Sequence, residues 1–508
     1  MQEHAVHSKP LPSRVPPPLR LAAAGLAVAL ALAGCAVGPD FKTPVLPKAA
    51  DAPYTGSALP ERTVSARGDR VGPSGASQRL INGQDLPAEW WKLFRSPALD
   101  QLIRAALEHN PTLEAAQAAL RQSEESYNAA SGSLLFPAVN GQLGGSRQRS
   151  ISSGSTPSEF NLYNASVSVS YTLDLFGGSR RQLEALMATV DYQRFQTEGA
   201  YQTLISNVVT AAVQEAALRG QLQATRELLQ AQEAQLAIIQ KQVELGAHPR
   251  AVALTQGTLV AQTRAQIPPL EKALAQTRHQ LSVLAGRFPG EGGLPEFHLD
   301  SLALPAELPV SLPSELARQR PDIRASEALL RQASANVGVA TANQYPQITL
   351  SGSYSDQHSV FKDMDVGNTL WNIGAGLTQP LFNGGALSAK RRAAEAAYQQ
   401  AEAQYRATVL KAFQNVADSL RAIETDAAAL KAQAEAETQA RESLAVNTRQ
   451  YKLGGISYLA LLDAQRSYQQ SRIGLIQAQA ARYADTAALF LALGGGWWHQ
   501  PAAPQAGG

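Results

Sequence analysis

Two long stretches without proline constrain the fold of this chain more than any other feature. Ser179–Leu245 and Leu387–Leu453 contain 67 residues each and no proline. At a rise of 1.5 Å per residue, a continuous helix of that length is a rod of about 100 Å, several times the length of a typical globular helix. Such a rod cannot bury its own apolar positions and must pack on neighbouring helices. The sequence therefore predicts a fold dominated by long, packed helices.

The two stretches belong to an internal repeat. Three short motifs of the first half recur in the second half at offsets of 209, 206 and 208 residues. The matched pairs are Leu135–Val139 with Gln344–Ile348, Leu175–Gly178 with Leu381–Gly385, and Gln242–Gly246 with Gln450–Gly454. Because these offsets are nearly equal, each half is predicted to have the same order of a helix, two strands, a very long helix, a glycine turn and a returning helix.

The repeat predicts the domain organisation. The first repeat is predicted over residues 89–312, with strands at about 134–149 and 161–176 and a helical hairpin over 179–286. The second repeat is predicted over residues 313–494, with strands at about 345–356 and 370–383 and a hairpin over 387–493. Residues 35–88 are rich in proline, glycine and serine and predict a loosely ordered lead-in, and residues 495–508 predict a flexible tail.

The predicted strands have a period of two. In Asn161–Phe176 the odd positions are mostly apolar, whereas the even positions are serine, asparagine and threonine with little charge. Such a pattern is typical of a half-buried sheet in a soluble protein, and it is equally typical of a barrel wall with lipid on one side and water on the other. The length of the strands and the uncharged polar face favour the barrel wall. Ser150–Glu159 and Asp356–Thr369 are then predicted to be the outward loops.

Four membrane strands cannot close a barrel by themselves. A sheet in lipid cannot keep open edges, because each unpaired backbone group there costs several kcal/mol. About eight strands is the smallest number that closes. The chain must therefore combine strands with copies of itself, and the strand count alone leaves two copies and three copies open.

The N-terminus is typical of an exported lipoprotein. Arg14 and Arg20 precede the apolar run Leu21–Leu32, and Leu32-Ala33-Gly34-Cys35 follows in the pattern of a bacterial lipobox. Residues 1–34 are therefore predicted to be a signal peptide, and Cys35, the only cysteine in the chain, is predicted to carry a lipid anchor. Ala36 follows the cysteine, where an aspartate would favour retention in the inner membrane. The lead-in over residues 35–88 would then be lipid-anchored at the outer membrane.

Composition and motifs argue against several classes of protein. The formal net charge of +2 is too small to favour nucleic acid as a partner. The eight histidines form no HExxH or similar spacing, and the chain has neither a nucleophile elbow nor a phosphate loop. We therefore expect no enzymatic activity, no cofactor and no metal site.

Three motifs resemble those of a known family. Trp90-Trp91-Lys92-Leu93-Phe94, Arg320-Pro321-Asp322-Ile323-Arg324-Ala325 and Leu462-Asp463-Ala464-Gln465-Arg466 are similar to the opening, central and C-terminal motifs of outer-membrane efflux lipoproteins. The resemblance covers residues 35–494 in the correct order. The family is the TolC-like, NodT-type outer-membrane factor group that serves RND multidrug pumps.

The resemblance implies a mainly α fold with a membrane β-barrel. In that family the protein is a TolC-like homotrimer, in which four strands per chain contribute to a 12-stranded barrel above a long periplasmic α-helical barrel. It implies an outer-membrane exit duct for drugs or other toxic small molecules that is passive and gated at its periplasmic end. Its partners would be a periplasmic adaptor protein, an inner-membrane RND transporter and outer-membrane lipid.

The same resemblance implies a gate. Leu459, Asp463 and Arg466 match positions that form the periplasmic constriction in the family, and their spacing places them on one helical face. An ordinary surface ion pair worth under about 1 kcal/mol is the alternative interpretation of Asp463 and Arg466. A family relative with two aspartates here would need the second one at Ala460. The glycine turns at Gly246 and at Gly454 and Gly455 are predicted to be the hairpin tips that contact the adaptor.

Three further hypotheses remain open from the sequence. A structural lipoprotein would explain the lipobox and the rods but not the amphipathic strands. A type I protein secretion duct would keep the channel but change its client. Arg180-Arg181 and Lys390-Arg391-Arg392 follow the strands in both repeats and are predicted to meet lipid headgroups, with a solvated charge cluster as the alternative. The sequence does not identify the transported substrate.

Overall fold

A computed structural model of the protein describes residues 36–44, 53–150, 158–361 and 364–499. The chain divides into two compact units. The sheet unit comprises Ser123–Val190 and Leu329–Glu402 together with the start of the chain up to Lys42. The helical unit comprises Thr43–Gln122, Asp191–Ala328 and the chain from Ala403 onward.

Helices account for most of the described residues. They are α1 Pro97–His109, α2 Pro111–Leu135, α3 Gly178–Glu244, α4 Arg250–Ala265, α5 Ile267–Leu284, α6 Pro313–Gln319, α7 Pro321–Ala342, α8 Ala386–Lys452 and α9 Tyr458–Ala492. The two long helices α3 and α8 contain 67 residues each and begin one residue earlier than the sequence predicts. Among the described helices, none combines the length and the apolar character needed to cross a membrane.

The strands form two separate sheets. They are β1 Arg79–Asn82, β2 Ala138–Ser150, β3 Ser158–Leu173, β4 Glu307–Val310, β5 Gln347–Phe361 and β6 Met364–Thr378. The larger sheet is antiparallel throughout, with the order β2-β3-β5-β6. The smaller sheet pairs β1 with β4 in parallel, from Arg79 opposite Glu307 to Asn82 opposite Val310.

The strands of the larger sheet differ from the prediction at their ends. Most of the predicted loop over Asp356–Thr369 is strand, because β5 continues to Phe361 and β6 begins at Met364. In the first repeat, β3 ends at Leu173 rather than near 176. Its end is set by Asp174, whose carboxylate accepts hydrogen bonds at 3.0 Å from the backbone N–H groups of Ser179 and Arg180 and so caps α3.

The lead-in is more ordered than the sequence predicts. The prediction of a loose segment over residues 35–88 is wrong for its second half, where β1 pairs with β4 and a short 3₁₀ turn spans Gly72–Gly75. Sequence reasoning missed this order because proline and glycine also occur in turns that are fixed by long-range contacts. The start of the predicted tail is ordered too, because Trp497 Nε1 donates to the Gln319 carbonyl at 2.5 Å. Residues 500–508 lie outside the described part.

Part of the core of the helical unit is a cluster of aromatic side chains. Trp90, Phe94, Tyr483 and Phe490 are fully buried, and the ring centroids of neighbouring pairs lie 5.5–6.4 Å apart. These side chains bring the WWKLF motif after the lead-in onto the C-terminal half of α9. The motif is therefore anchored on α9, and Trp90 Nε1 also donates to Gln202 Oε1 of α3 at 3.3 Å.

Candidate functional site

The two hairpin tips share one backbone motif. At the first tip the N–H of Gly246 donates to the Val243 carbonyl at 3.0 Å, and that of Ala247 donates to the Gln242 carbonyl at 2.8 Å. At the second tip Gly454 and Gly455 make the equivalent bonds at 3.0 and 2.9 Å. This is the Schellman pattern that ends a helix by placing its C′ residue in the left-handed region. The repeat therefore encodes the same turn twice.

Conformation rather than space requires glycine at two of the three tip positions. Gly246 and Gly454 both have φ of +75°, which an L side chain adopts only with strain, and no atom lies within 4 Å of a Cβ built on either residue. Gly455 is not among the positive-φ residues. Leu245 and Leu453, the residues just before the two left-handed glycines, are 75% and 80% exposed. Each tip therefore carries a solvent-exposed leucine at the end of its long helix.

The residues predicted to form the gate lie at the start of α9. Ser457 caps this helix by accepting a hydrogen bond from the backbone N–H of Ala460 at 3.3 Å. Leu459 is 64% exposed, and Asp463 and Arg466 are exposed one and two turns further on. The alternate face of the same turns is buried through Leu461, Leu462, Ala464 and Gln465. The structure thus brings the three predicted side chains to one open face of α9.

Asp463 and Arg466 do not neutralise each other within one chain. Among the described residues, neither the Asp463 carboxylate nor the Arg466 guanidinium takes part in an ion pair or a side-chain hydrogen bond. The alternative of an ordinary ion pair within the chain is therefore not what this structure shows. Their role in a gate stays a prediction.

A tyrosine and a glutamine link the two hairpins near the tips, and sequence reasoning missed them. Tyr458 Oη, at the start of α9, hydrogen-bonds to Gln256 Oε1 of α4. Gln256 is fully buried, and its amide donates to the Gln232 carbonyl of α3 at 2.9 Å. Burial raises the pKa of the Tyr458 hydroxyl, which keeps it neutral and available as a donor. Nothing in the sequence separates Gln256 from the other glutamines of these helices.

Aromatic contacts continue this link to the first tip. The rings of Tyr451 and Tyr458 lie 5.6 Å apart, and His248, in the first turn, stacks on Tyr451 at 6.2 Å. Tyr451 lies in the last turn of α8, before the second glycine turn, and Tyr458 and His248 follow the second and first turns. A change in the angle between the two hairpins would have to break these contacts.

The predicted lipid attachment site, Cys35, lies outside the described residues. The residues directly behind it are fixed to the sheet unit. The N–H of Val37 donates to the Phe176 carbonyl at 3.0 Å. Gly38, with φ of +99°, lies so close to Gly338 of α7 that a Cβ would stand 2.5 Å from the Gly338 Cα. We call residues 36–42 the N-terminal clasp.

The clasp also explains Arg181, for which the sequence left contact with lipid headgroups and a solvated charge cluster as alternatives. The Arg181 side chain is 8% exposed and forms ion pairs with Asp40 of the clasp at 2.6 Å and with Glu184 at 2.7 Å. Arg180 pairs with Asp174 at 3.2 Å. The headgroup hypothesis is therefore wrong for Arg181, because its guanidinium is buried and paired. In the second repeat Lys390, Arg391 and Arg392 remain exposed.

A buried arginine in the helical unit was also missed. Arg482 of α9 is 2% exposed and donates to the carbonyls of Ser74 and Ala76 at 2.9 and 3.0 Å, and to Gln78 Oε1 at 2.7 Å. Burial is the main cause that lowers the pKa of Arg482 to about 10, so it stays charged at neutral pH. It holds the lead-in against α9. In the sequence it is one of many arginines on a helix with no distinguishing neighbour.

Comparison with known proteins identifies relatives of this chain. The family described as "Outer membrane efflux protein" matches residues 102–287 and 312–495. The chain is 33% identical over 441 residues to the pyoverdine export outer membrane protein OpmQ of Pseudomonas putida strain KT2440, covering 83% of this chain and 91% of the relative. It is 30% identical to the probable efflux pump outer membrane protein TtgC of the same strain, covering 93% and 95%.

A solved structure agrees with these relatives. The outer-membrane channel OprN matches with a TM-score of 0.78 and 26% identity, over 91% of this chain and 100% of that one. The prediction of a mainly helical, TolC-like fold is therefore confirmed, and the matched proteins are channels of the outer membrane. The chain belongs to the outer membrane efflux protein family.

Proposed function

We propose that this protein is the outer-membrane duct of a tripartite RND efflux system. In this proposal three copies form the duct, a periplasmic adaptor docks on the hairpin tips, and an inner-membrane transporter supplies the substrates. The duct is passive, has no enzymatic activity and needs no cofactor. Drugs or other toxic small molecules leave the cell through it.

The observation that carries the proposal is that the larger sheet has two unpaired edges and an exposed apolar face within one chain. The edge strands β2 and β6, of 13 and 15 residues, each pair on one side only. Every residue of β6 is exposed, including Trp371 at 73% and Ile373 at 84%. Unpaired backbone groups in lipid cost several kcal/mol each, and apolar side chains in water are also unfavourable. Joining further copies edge to edge and placing the apolar face in lipid removes both costs.

Three copies are the number that the proposal adopts. Two copies would give eight strands, whose interior is filled by side chains, whereas three give twelve strands and room for a pore. The likeness to efflux channels supports the larger number. We further propose that Cys35 is lipidated, and the clasp behind it supports an anchor held next to the sheet.

The periplasmic gate is the part of the proposal with a sharp test. With three copies around one axis, Asp463 forms a ring of carboxylates that pairs with Arg466 of a neighbouring copy, and Leu459 forms an apolar ring beside it. Their exposure on one face of α9, without ion-pair partners in the part of the chain that the structure describes, supports this arrangement. The exposed leucines Leu245 and Leu453 support adaptor contact at the tips.

Purified protein in a planar bilayer tests the duct and the gate together. We expect particles of three protomers that conduct ions in small steps. Asp463→Asn should raise the single-channel conductance because it removes the ring charge without changing side-chain size, whereas Asp463→Glu should keep conductance low. Protein that stays monomeric, or that never conducts, would overturn the duct. Equal conductance of wild type and Asp463→Asn would remove Asp463 from the gate.

A further inference from the structure

The two faces of the larger sheet differ in a regular way over most of its length. One face, which we call the apolar face, carries Val139, Val169 and Ile373 on a single rung of paired strands. The other, the polar face, carries Ser168, Ser353 and Asn372 on the next rung. The pairing continues without a bulge along all four strands, so every residue can be assigned to a face by alternation.

Every charged residue and the histidine of these four described strands lie on the apolar face. They are Arg147, Arg149, Glu159, Asp356, His358 and Asp365. Side-chain contacts agree with this assignment. Arg147 pairs with Glu159 at 3.0 Å and His358 with Asp365 at 3.0 Å, each across neighbouring strands. All six stand in the half of the sheet next to the two hairpin loops.

The polar face changes in the opposite sense at the same end. Near the loops β3 and β6 contribute four apolar side chains to it, Phe160, Leu162, Met364 and Val366, which alternate around the face with Ser146, Gln148 and Ser359 of β2 and β5. Ser359 pairs with both Leu162 and Val366, which places these two on one rung. Val366 and Met364 are 40% and 62% exposed. At its loop end the sheet therefore carries charge on the apolar face, and on the polar face it carries apolar side chains between uncharged polar ones.

The inversion begins at a height that fits a membrane boundary. Ten residues separate Leu173 from Tyr163, the first and last large apolar residues of the apolar face on β3. At about 3.4 Å per residue and a tilt of about 45°, this span rises about 24 Å. That matches the apolar band of about 25 Å on outer-membrane barrels. Asp356 pairs with Ala165 and His358 with Tyr163, so the charged residues begin on the outermost rungs of this span. The four apolar residues on the opposite face stand just beyond it, at the mouth of the duct.

We propose that Phe160, Leu162, Met364 and Val366, repeated around the exit in every copy, form an apolar collar that hinders hydrated ions and lets apolar solutes pass. The inference rests on the proposed duct. Apolar rings restrict a pore because water leaves them easily, and an ion then has to shed its hydration to enter. No Asp, Glu, Lys, Arg or His stands on the polar face within the described strands, so the wall offers an ion no charged group in compensation.

The collar would make the exit discriminate between solutes by their hydration and size. Ions of either sign are treated alike along the strands, and discrimination at the mouth is by hydration and size. Any preference for cations or anions has to come from the helical unit, where Asp463 is the candidate. The collar and the gate are then two separate barriers in series, each made by different chemistry.

Single-channel recordings in planar bilayers test the collar. Leu162→Asn and Val366→Asn should each raise the conductance, and the double variant should raise it severalfold, because an amide keeps the collar wet. Val366→Trp should lower it by narrowing the ring. The matched control is Val360→Asn, at the same height on the apolar face, which should leave the conductance unchanged. Each variant is recorded alone and with Asp463→Asn, since an open gate makes a second barrier easier to detect.

The outcomes separate the collar from the duct. Conductance that responds to Leu162→Asn and Val366→Trp in opposite directions supports the collar. Channels that conduct but are indifferent to all collar variants in both backgrounds overturn the collar and leave the duct intact. Trimers that never conduct, in wild type or in any variant, overturn both.

Discussion

The two units of this protein solve the problem of burying apolar surface in different ways. The helical unit encloses its large side chains within one chain, with Trp90, Phe94 and Phe490 fully buried. The sheet unit leaves comparable side chains bare, with Trp371 and Leu143 at 73% and 86% exposure. The first unit therefore has an enclosed core within one chain, whereas in the proposed duct the second is completed by lipid and by further copies of the chain. Replacing a large apolar side chain should therefore lower the stability of the protein in detergent when the residue lies in the helical unit, and should change it little when the residue lies in the sheet unit.

The largest expected effect compares two tryptophans. Trp90→Ala should destabilise the detergent-solubilised protein by about 3–5 kcal/mol, because it empties a closely packed aromatic site. Trp371→Ala should change stability by no more than about 0.5 kcal/mol in detergent, because its side chain has few protein neighbours. Urea unfolding followed by tryptophan fluorescence and circular dichroism measures both. A comparable loss for Trp371→Ala would mean that the sheet has a core of its own, and the comparison would fail.

A second prediction concerns the buried charge of the helical unit. Arg482→Met should cost about 3 kcal/mol, since it leaves the carbonyls of Ser74 and Ala76 and the amide of Gln78 without their donor, at about 1–3 kcal/mol for each buried group. The matched control is Arg67→Met, because Arg67 lies exposed in the same lead-in. Thermal unfolding and limited proteolysis of the lead-in report the effect. Equal behaviour of the two variants would show that the lead-in is held by other contacts.

Two helical glycines give a smaller contrast between the units. A Cβ at Gly338 would stand 2.8 Å from Arg181 Cγ, so Gly338→Ala should push this arginine away from Asp40 and cost about 1–3 kcal/mol. A Cβ at Gly220 would meet Ile476 at 3.5 Å, an ordinary contact, so Gly220→Ala should be neutral or stabilising by up to about 1 kcal/mol. Faster proteolysis of the clasp is expected for Gly338→Ala alone. If the clasp stays protected in that variant, the ion pair between Arg181 and Asp40 is not what holds it.

The smallest effect is a pH dependence in the helical unit. Burial is the main cause that raises the pKa of Asp426 from its usual 3.8 to about 7, followed by the hydrogen bond that the protonated carboxyl of Asp426 donates to Asp485 and by the negative charge of Asp485. The folded state therefore binds this proton more tightly than the unfolded state, and stability falls as pH rises from about 4 to 7. Asp426→Asn should flatten this part of the curve of Tm against pH and raise Tm at neutral pH. An unchanged slope would mean that other groups near Arg482 control it.

The repeat made most of the fold predictable. Because a proline-free, alanine-rich stretch can form only one regular structure over such a length, the sequence located α3 and α8 to within a residue at each end. The strands were found by their alternation, but their ends were not. Asp174 ends β3 by capping α3, and that contact depends on how a turn folds rather than on periodicity.

The site was predictable only in part, for a related reason. Gly246 and Gly454 could be recognised as turn residues because positive φ is a local requirement. Gln256 and Arg482 could not, because their roles come from partners about 200 and 400 residues away along the chain. A glutamine or an arginine in a helix has no local signature of burial.

The sequence by itself determined the long helices, the alternating strands and the family, because each depends on a pattern repeated along the chain. Only the tertiary structure showed that a buried arginine, Arg482, holds the lead-in against α9. It also showed that Arg181 forms a buried ion pair with the clasp, and that charged residues replace apolar ones on the apolar face of the sheet near the loops. These features depend on which residues meet across distant parts of the chain. Burial and ion pairing are set by contacts between residues that are distant in sequence, and a pattern along the chain does not show which residues make such contacts.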